Sequence, residues 1–283
     1  MFINPKAIWN PLGKQRKTYK IMTIWGNGQM LTIDGFYMGI MEKLCSVMKH
    51  KPAVLQTVSF IGWEEKLASE IRMYNPDGIF WVRPNNNCYE IIRNTEWTYP
   101  VCVFGDVPQE DLFSYGIDFY HAGSEAAKWM IKRGCLYPIY AGMIHETSRA
   151  TVDYFKGWKE TLSKAGYTRV DEFKIYDADN VQEKLYSLLK SGADGIFSLG
   201  SNWFEVHDVL SESRNNKIPL LLEDNGALNG FFDVEPDAKM EICPGAFVEK
   251  AAEALFKQLE NPCRKPVSKI YLPVIINLKS KRS

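Results

Sequence analysis

The sequence predicts an α/β protein of two doubly wound parallel-sheet lobes with a ligand cleft between them. Three observations predict it. The tetrapeptide Asp-Gly-Ile-Phe occurs twice, at Asp77–Phe80 and at Asp194–Phe197. Each copy is followed by a Pro-led apolar run ending in acid, Tyr99-Pro100-Val101-Cys102-Val103-Phe104-Gly105-Asp106 in the first and Ile218-Pro219-Leu220-Leu221-Leu222-Glu223-Asp224 in the second, at Asp-to-Pro spacings of 23 and 25 positions. Strand-length apolar runs also alternate with helix-length amphipathic stretches along the chain. That alternation makes parallel sheets whose ligand sites lie beyond the carboxyl ends of the strands.

Taken in order, residues 1–18 read as an irregular arm, with Pro5 and Pro11 among polar and basic residues. Tyr19–Trp25 is the first strand, stopped by Gly26-Asn27-Gly28. A helix from about Thr32 places Phe36, Ile40, Leu44 and Val47 or Met48 on one face. Ala53–Val58 is a strand, and Trp63–Tyr74 is a helix with Leu67, Ile71 and Tyr74 inward. Gly78–Val82 is a strand, Asn85–Asn87 a turn, Tyr89–Asn94 a short helix and Val101–Phe104 a strand. Ser124–Arg133 is a helix with Ala126, Ala127, Met130 and Ile131 inward, closed by Gly134. There follow a strand at Pro138–Gly142, a helix at Val152–Ala165 and a strand at Glu172–Tyr176. Helices at Val181–Lys190 and Phe204–Arg214 flank a strand at Gly195–Leu199, and Pro219–Leu222 is the next strand. Glu241–Cys243 reads as a short crossover, Phe247–Leu259 as an amphipathic helix and Ile270–Leu278 as one final strand. The count is nine or ten strands and about eight helices.

Composition sets the bounds. The chain has 283 residues, 46% apolar and 24% charged, ordinary for a packed soluble protein of one large or two medium domains. The formal net charge is zero, so no global basic field draws it to nucleic acid. The basic runs at Lys14–Lys17 and Lys279–Arg282 read as solvated tails. No apolar window is long enough to span a membrane, and the N-terminus lacks a signal-peptide pattern. Six scattered cysteines without a Cys-x-x-Cys pair read as reduced thiols in a cytoplasmic protein. The four histidines are not spaced with Cys, Asp or Glu as metal ligands, so neither metal nor cofactor is expected.

An ordered set of short motifs carries a resemblance. Pro76-Asp77-Gly78-Ile79, Tyr99-Pro100-Val101, Asp118 with Ala122-Gly123, Ala126-Ala127 and Arg133-Gly134, Tyr140-Ala141-Gly142, Gly157-Trp158 with Leu162 and Ala165-Gly166, and Asn277-Leu278-Lys279-Ser280 follow one another from about Tyr19 to Ser283. Together they resemble the effector-binding core of lactose-repressor-type transcription regulators, which is similar to periplasmic sugar-binding proteins (type I). The resemblance implies an arm at 1–18, an N-terminal lobe of 19–117 with 243–263 and a C-terminal lobe of 118–242 with 264–283. It also implies a sugar-like small-molecule effector, a homodimer, and contact with DNA only through a separate DNA-binding domain that this chain lacks, whether excised or never present. The helices near Thr32–Met48 and Phe247–Leu259 are the candidate dimer surfaces. Two positions depart from the family pattern. Tyr154 stands where an Arg usually grips the ligand, and the usual Asn-Asp falls on Gly200-Ser201, with Asn202 one position further.

Candidate ligand residues sit in the loops after the strands, where short polar groups meet hydroxyls and aromatics meet the apolar faces of sugar rings. Asp224 and Asp118 are charged acceptors for hydroxyls, and either could instead cap the next helix. Trp203 and Trp25 are stacking platforms or hinge packing. Asn27, Gln29, Ser59, Arg83 and Tyr154 occupy equivalent loops, with Arg83 open to an acidic ligand or a surface ion pair. Asn225 lies beside Asp224. No catalytic residues are assigned. The chain has no Gly-x-Ser-x-Gly elbow, phosphate-cradling Gly-Lys-Ser/Thr loop or complete Gly-x-Gly-x-x-Gly. The leading expectation is a sensor domain whose ligand acts by differential affinity for two lobe arrangements. A free-standing solute-binding protein for transport and a sugar-acting α/β enzyme are the alternatives.

Overall fold

A computed structural model of the chain describes residues 17–25, 35–59, 64–105, 112–142, 149–172, 174–175, 180–213, 218–224, 234–263 and 266–278. In chain order the first elements are β1 (Tyr19–Trp25), α1 (Gly35–Met48), β2 (Ala53–Ser59), α2 (Glu64–Tyr74), β3 (Gly78–Val82), α3 (Asn86–Asn94), β4 (Val101–Phe104), β5 (Ser114–Ile117), α4 (Phe119–Lys132), β6 (Pro138–Ala141) and α5 (Arg149–Lys164). They continue with β7 (Lys174–Ile175), α6 (Val181–Lys190), β8 (Gly195–Ser198), a 3-10 turn (Gly200–Asn202), α7 (Trp203–Ser213), β9 (Leu220–Asp224), β10 (Ala238–Glu241), α8 (Gly245–Glu260), β11 (Lys269–Tyr271) and β12 (Val274–Asn277). Two compact units result, Met1–Ile117 with Cys243–Tyr271, and Asp118–Ile242 with Leu272–Ser283.

The two sheets have the same plan. The first unit's sheet runs β2-β1-β3-β4-β5-β11, all parallel, and the second unit's runs β7-β6-β8-β9-β10-β12. Among the described strands only β12 is antiparallel to its neighbour. In each, the strand order reverses beside the first strand, which is where a doubly wound sheet opens a crevice at its carboxyl edge.

The repeated Asp-Gly-Ile-Phe has one structural job in both units. Asp77 accepts the Lys20 N–H at 2.8 Å, and its own N–H goes to the Lys20 carbonyl at 2.8 Å, locking the start of β3 to β1. Asp194 accepts the N–H groups of Leu136 and Tyr137 at 2.6 and 2.8 Å, locking β8 to β6. The glycine makes room for a helix: a Cβ at Gly78 would stand 3.3 Å from Leu259 of α8, and one at Gly195 would stand 2.6 Å from Cys135 Sγ, which follows α4. The isoleucine enters the apolar cluster on the opposite sheet face, Ile79 with α2 and α3 and Ile196 with α6 and α7. The phenylalanine nucleates an aromatic core. Phe80 stacks on Phe104 at 5.3 Å, and Phe197 stacks on Trp158 at 5.6 Å. Such pairs add to the stabilisation from buried area.

Each unit borrows one helix from the far side of a crossover. α8 follows β10 of the second unit yet buries Phe247, Val248, Ala251, Ala252, Leu255 and Phe256 in the first, beside α1. α4 follows β5 of the first unit yet packs on α5 in the second. The α4–α5 crossing is unusually close, because a Cβ at Gly123 would lie 1.9 Å from the Tyr154 carbonyl oxygen and one at Gly157 would lie 2.0 Å from that of Tyr120. Two helices approach this closely only where both lack a side chain.

Several expectations are corrected. β5 and β10 are strands that the sequence reading did not resolve, β10 ending on Glu241, the first residue of the segment read as a crossover at Glu241–Cys243. The expected single strand Ile270–Leu278 is two, one per sheet, so Lys269–Tyr271 belongs with the first unit. Tyr74 points outward, 44% exposed, because α2 ends there beyond its buried Leu67 and Ile71. Asn85 caps α3 by accepting the Cys88 N–H at 2.8 Å, so Asn86 and Asn87 form the helix's first turn. The apolar face of the Phe247–Leu259 helix is spent on its own unit's core and is not a free dimer surface.

Candidate functional site

In the first unit the carboxyl edge is formed by the ends of β1, β2 and β3, where Trp25, Ser59 and Val82 are register partners. Trp25 is 1% exposed, so its indole packs inside the unit. Ser59 ends β2 beside it. Arg83 follows β3 directly in the left-handed region, at φ 44°, with its N–H on the Phe104 carbonyl at 2.9 Å. A non-glycine residue in that conformation is uncommon and marks a constrained turn. Trp25, Ser59 and Arg83 are thus brought to one edge. Asn27 and Gln29 lie outside the described residues, as does Asn225.

In the second unit the arrangement is built around a carboxylate that sequence reasoning passed over. Glu223 accepts the Gly200 N–H at 2.9 Å, tying the end of β9 to the 3-10 turn after β8. It also hydrogen-bonds the Tyr154 hydroxyl, which lies 3.2 Å from Met240 Sδ. Burial above all, and then the Glu223 charge, push the Tyr154 phenol well above its ordinary value, so it stays a neutral donor. Tyr154 is expected in a loop but lies on α5, 2% exposed, with its ring against Phe119 and Phe197. Asn202 closes the 3-10 turn and is 2% exposed, while Trp203 opens α7 at 1% exposure inside the cluster of Ile139, Val206 and Leu222. Its ring edges His207 at 6.1 Å, so that imidazole is less solvated than its helix position implies.

Asp224 ends β9 with its carboxylate 3.8 Å from Lys239 Nζ, both side chains partly exposed. Side chains alternate along a strand, so Asp224 shares the Leu220 and Leu222 face while Glu223 points to the α5 side. Asp118 caps α4 by accepting the His121 N–H at 2.7 Å. Glu205, in the first turn of α7, holds one carboxylate oxygen buried without a hydrogen-bond partner, and a buried polar atom of this kind calls for a donor. Period-2 alternation on β9 was the available signal for Glu223; Glu205 left none, because an acid in a first helical turn is ordinary. The described residues hold no group of three or more His, Cys, Asp or Glu able to bind a metal, and no helix among them is long and apolar enough to cross a membrane.

Two doubly wound units of one strand order, each with polar groups gathered at its carboxyl edge, define a two-lobe α/β fold of the periplasmic-binding-protein type. Comparison with known proteins makes this more particular. Residues 61–192 match the family described as periplasmic binding proteins and sugar binding domain of LacI family, as the motif series from Pro76 onward implied. The fold is shared with the transcriptional regulator CelR in complex with cellobiose (17% identity, 92% of this chain and 84% of that one, TM-score 0.75). It is shared equally with the Escherichia coli transcriptional repressor ascG (14% identity, 92% and 98%, TM-score 0.75). A LacI family transcriptional regulator from Enterococcus faecium with bound ribose is similar too (14% identity, 91% and 97%, TM-score 0.72). No curated protein matches the chain significantly in sequence. At these identities the structures establish the fold, and the family model matches residues 61–192.

Proposed function

We propose that this chain is the effector-sensing core of a transcription regulator. It binds a sugar or sugar derivative through the carboxyl-edge residues of its two units and passes the resulting change to a DNA-binding module. The observation that carries this reading is the family match over residues 61–192, whose description joins sugar binding to LacI-type regulators. Solved structures of the same fold hold cellobiose and ribose. The carboxylates Asp224, Glu223 and Asp118 at or beyond the strand ends supply acceptors for hydroxyls, and Arg83, Ser59, Asn202 and Asn27 supply further polar contacts. Trp25 in the first unit, and Trp203 and Tyr154 in the second, are rigid aromatic supports buried behind those groups in their own units. The protein acts as a homodimer and without cofactor or catalysis.

Thermal melting against pentoses, hexoses, uronates and sugar phosphates tests this. A ligand present at 100 times its dissociation constant stabilises the fold by about 2.7 kcal/mol, a shift of a few degrees. We expect one sugar class to shift the melt and Asp224→Ala to erase the shift while leaving the unliganded melt nearly unchanged. A panel in which no sugar acts, or an undiminished shift in Asp224→Ala, refutes the sugar site as drawn.

A further inference from the structure

The amino-terminal end of β6 borders a cavity remote from the carboxyl-edge residues. Its volume is about 430 Å³, and its lining includes Leu136, Tyr137, Leu162, Tyr167, Thr168 and Arg169. Small-molecule sites run from roughly 300 to 1,000 Å³ and are mostly apolar with a few placed polar groups.

Its walls are fixed from behind. Asp194 holds the N–H groups of Leu136 and Tyr137. The Tyr167 hydroxyl donates to the Cys135 carbonyl at 2.6 Å, and the Tyr167 N–H closes on the Leu162 carbonyl at 3.1 Å. Gly166, at φ 91°, makes that turn possible. A site already ordered spares a ligand the cost of ordering it. At the rim Leu136 is 67% exposed and Tyr137 37% exposed, an apolar lip left in water. The Arg169 guanidinium lies over the Tyr137 ring, 5.3 Å from its centroid, and is held by Glu172 at 2.6 and 2.8 Å.

We propose that this cavity is a second small-molecule site, for a flat, uncharged aromatic compound bearing one hydrogen-bond acceptor. The ring lies against Leu136, Tyr137 and Leu162, and the acceptor turns to Arg169 and Thr168. Arginine carries donors only, so the ligand's polar end must accept. Its charge is already met by Glu172 in a pair whose side chains are 44% and 59% exposed, so a second anion gains little from it beyond what a neutral acceptor gains. The inference stands on the second unit alone and does not depend on the sugar-sensing reading.

Calorimetric titration of the full chain with indole-3-carboxamide, and separately with indole-3-carboxylate, tests it. We expect the carboxamide to bind with a dissociation constant of about 1 mM or tighter, within reach of a ligand of this size, and at least threefold more tightly than the carboxylate. Thr168→Trp, which fills the cavity from an exposed position, and Leu136→Asp, which charges its lip, should each weaken binding at least tenfold, and Asp224→Ala should not change it. No binding of the carboxamide at several millimolar, equal or tighter binding of the carboxylate, or unchanged binding in both cavity variants overturns the proposal.

Discussion

Asp77 and Asp194 show how one side chain can set the start of a strand. Asp77 takes the Lys20 N–H within β1, and Asp194 takes the Leu136 and Tyr137 N–H groups just ahead of β6, so replacing either by alanine strips those donors of their partner. We expect Asp77→Ala and Asp194→Ala each to cost about 1–2 kcal/mol in urea denaturation. Asp77 adds a pH dependence. Burial works against its charge, but the hydrogen bonds from Lys17 and from the Lys20 N–H prevail and hold its carboxyl below the usual range. A carboxyl depressed in the folded state contributes stability above its unfolded value, about 3.9, and loses it as pH falls through the folded value. The stability difference between wild type and Asp77→Ala should therefore be full at pH 6 and shrink as the pH falls below about 4; a difference constant down to pH 2 would refute the assignment. Tyr154→Phe removes only the hydroxyl shared with Glu223 and Met240 and should cost about 1 kcal/mol. The repeat itself was legible in the sequence, because Asp, Gly, Ile and Phe each have a distinct chemistry at fixed spacing. The role of Glu223 was not, since its importance comes from Gly200 and Tyr154, which only folding brings to it.

At the level of elements, the α4–α5 crossing is the most sharply posed. Gly123→Ala or Gly157→Ala would drive a methyl group into a backbone carbonyl that cannot rotate away, and overpacking of this kind costs about 1–3 kcal/mol. Gly134 offers the contrast. Nothing lies within 4 Å of a Cβ there, but its φ of 78° disfavours other residues, so Gly134→Ala should cost about 1 kcal/mol from backbone strain alone. Denaturation midpoints that rank Gly134→Ala as the worst of the three would contradict the close crossing. Long amphipathic helices such as α5 and α8 were readable from their period. β5 was not, because Ser114-Tyr115-Gly116-Ile117 is short and broken by glycine, and β10 alternates Lys and Glu with its buried Ala238 and Met240. The division of Ile270–Leu278 into two strands was marked only by Pro273 between them, and the apolar residues on either side carry no sign of which sheet each half joins.

For the molecule as a whole, the chain passes between its two units at 117/118, 242/243 and 271/272, so neither unit is a single stretch of sequence. A fragment of residues 118–242 lacks β12, leaving the β10 edge unpaired and removing Asn277, which accepts the Trp129 indole N–H at 2.9 Å. Such a fragment should melt well below the full chain or aggregate, as unpaired strand edges do; light scattering and circular dichroism on the same sample would decide it. The two-lobe plan was legible from the repeated motif and strand–helix alternation, whereas the assignment of α4 and α8 to units across the crossovers was implied only by the family resemblance, because a helix's own sequence does not say which sheet it will cover.

Residues 266–278 provide the outermost strand of both sheets, β11 in one and β12 in the other. Both sheets therefore remain one strand short during synthesis, with β5 and β10 unpaired on that side, until this one stretch has left the ribosome. A product cut short anywhere before it presents two raw edges at once, a signal that chaperones and proteases could read as an unfinished protein.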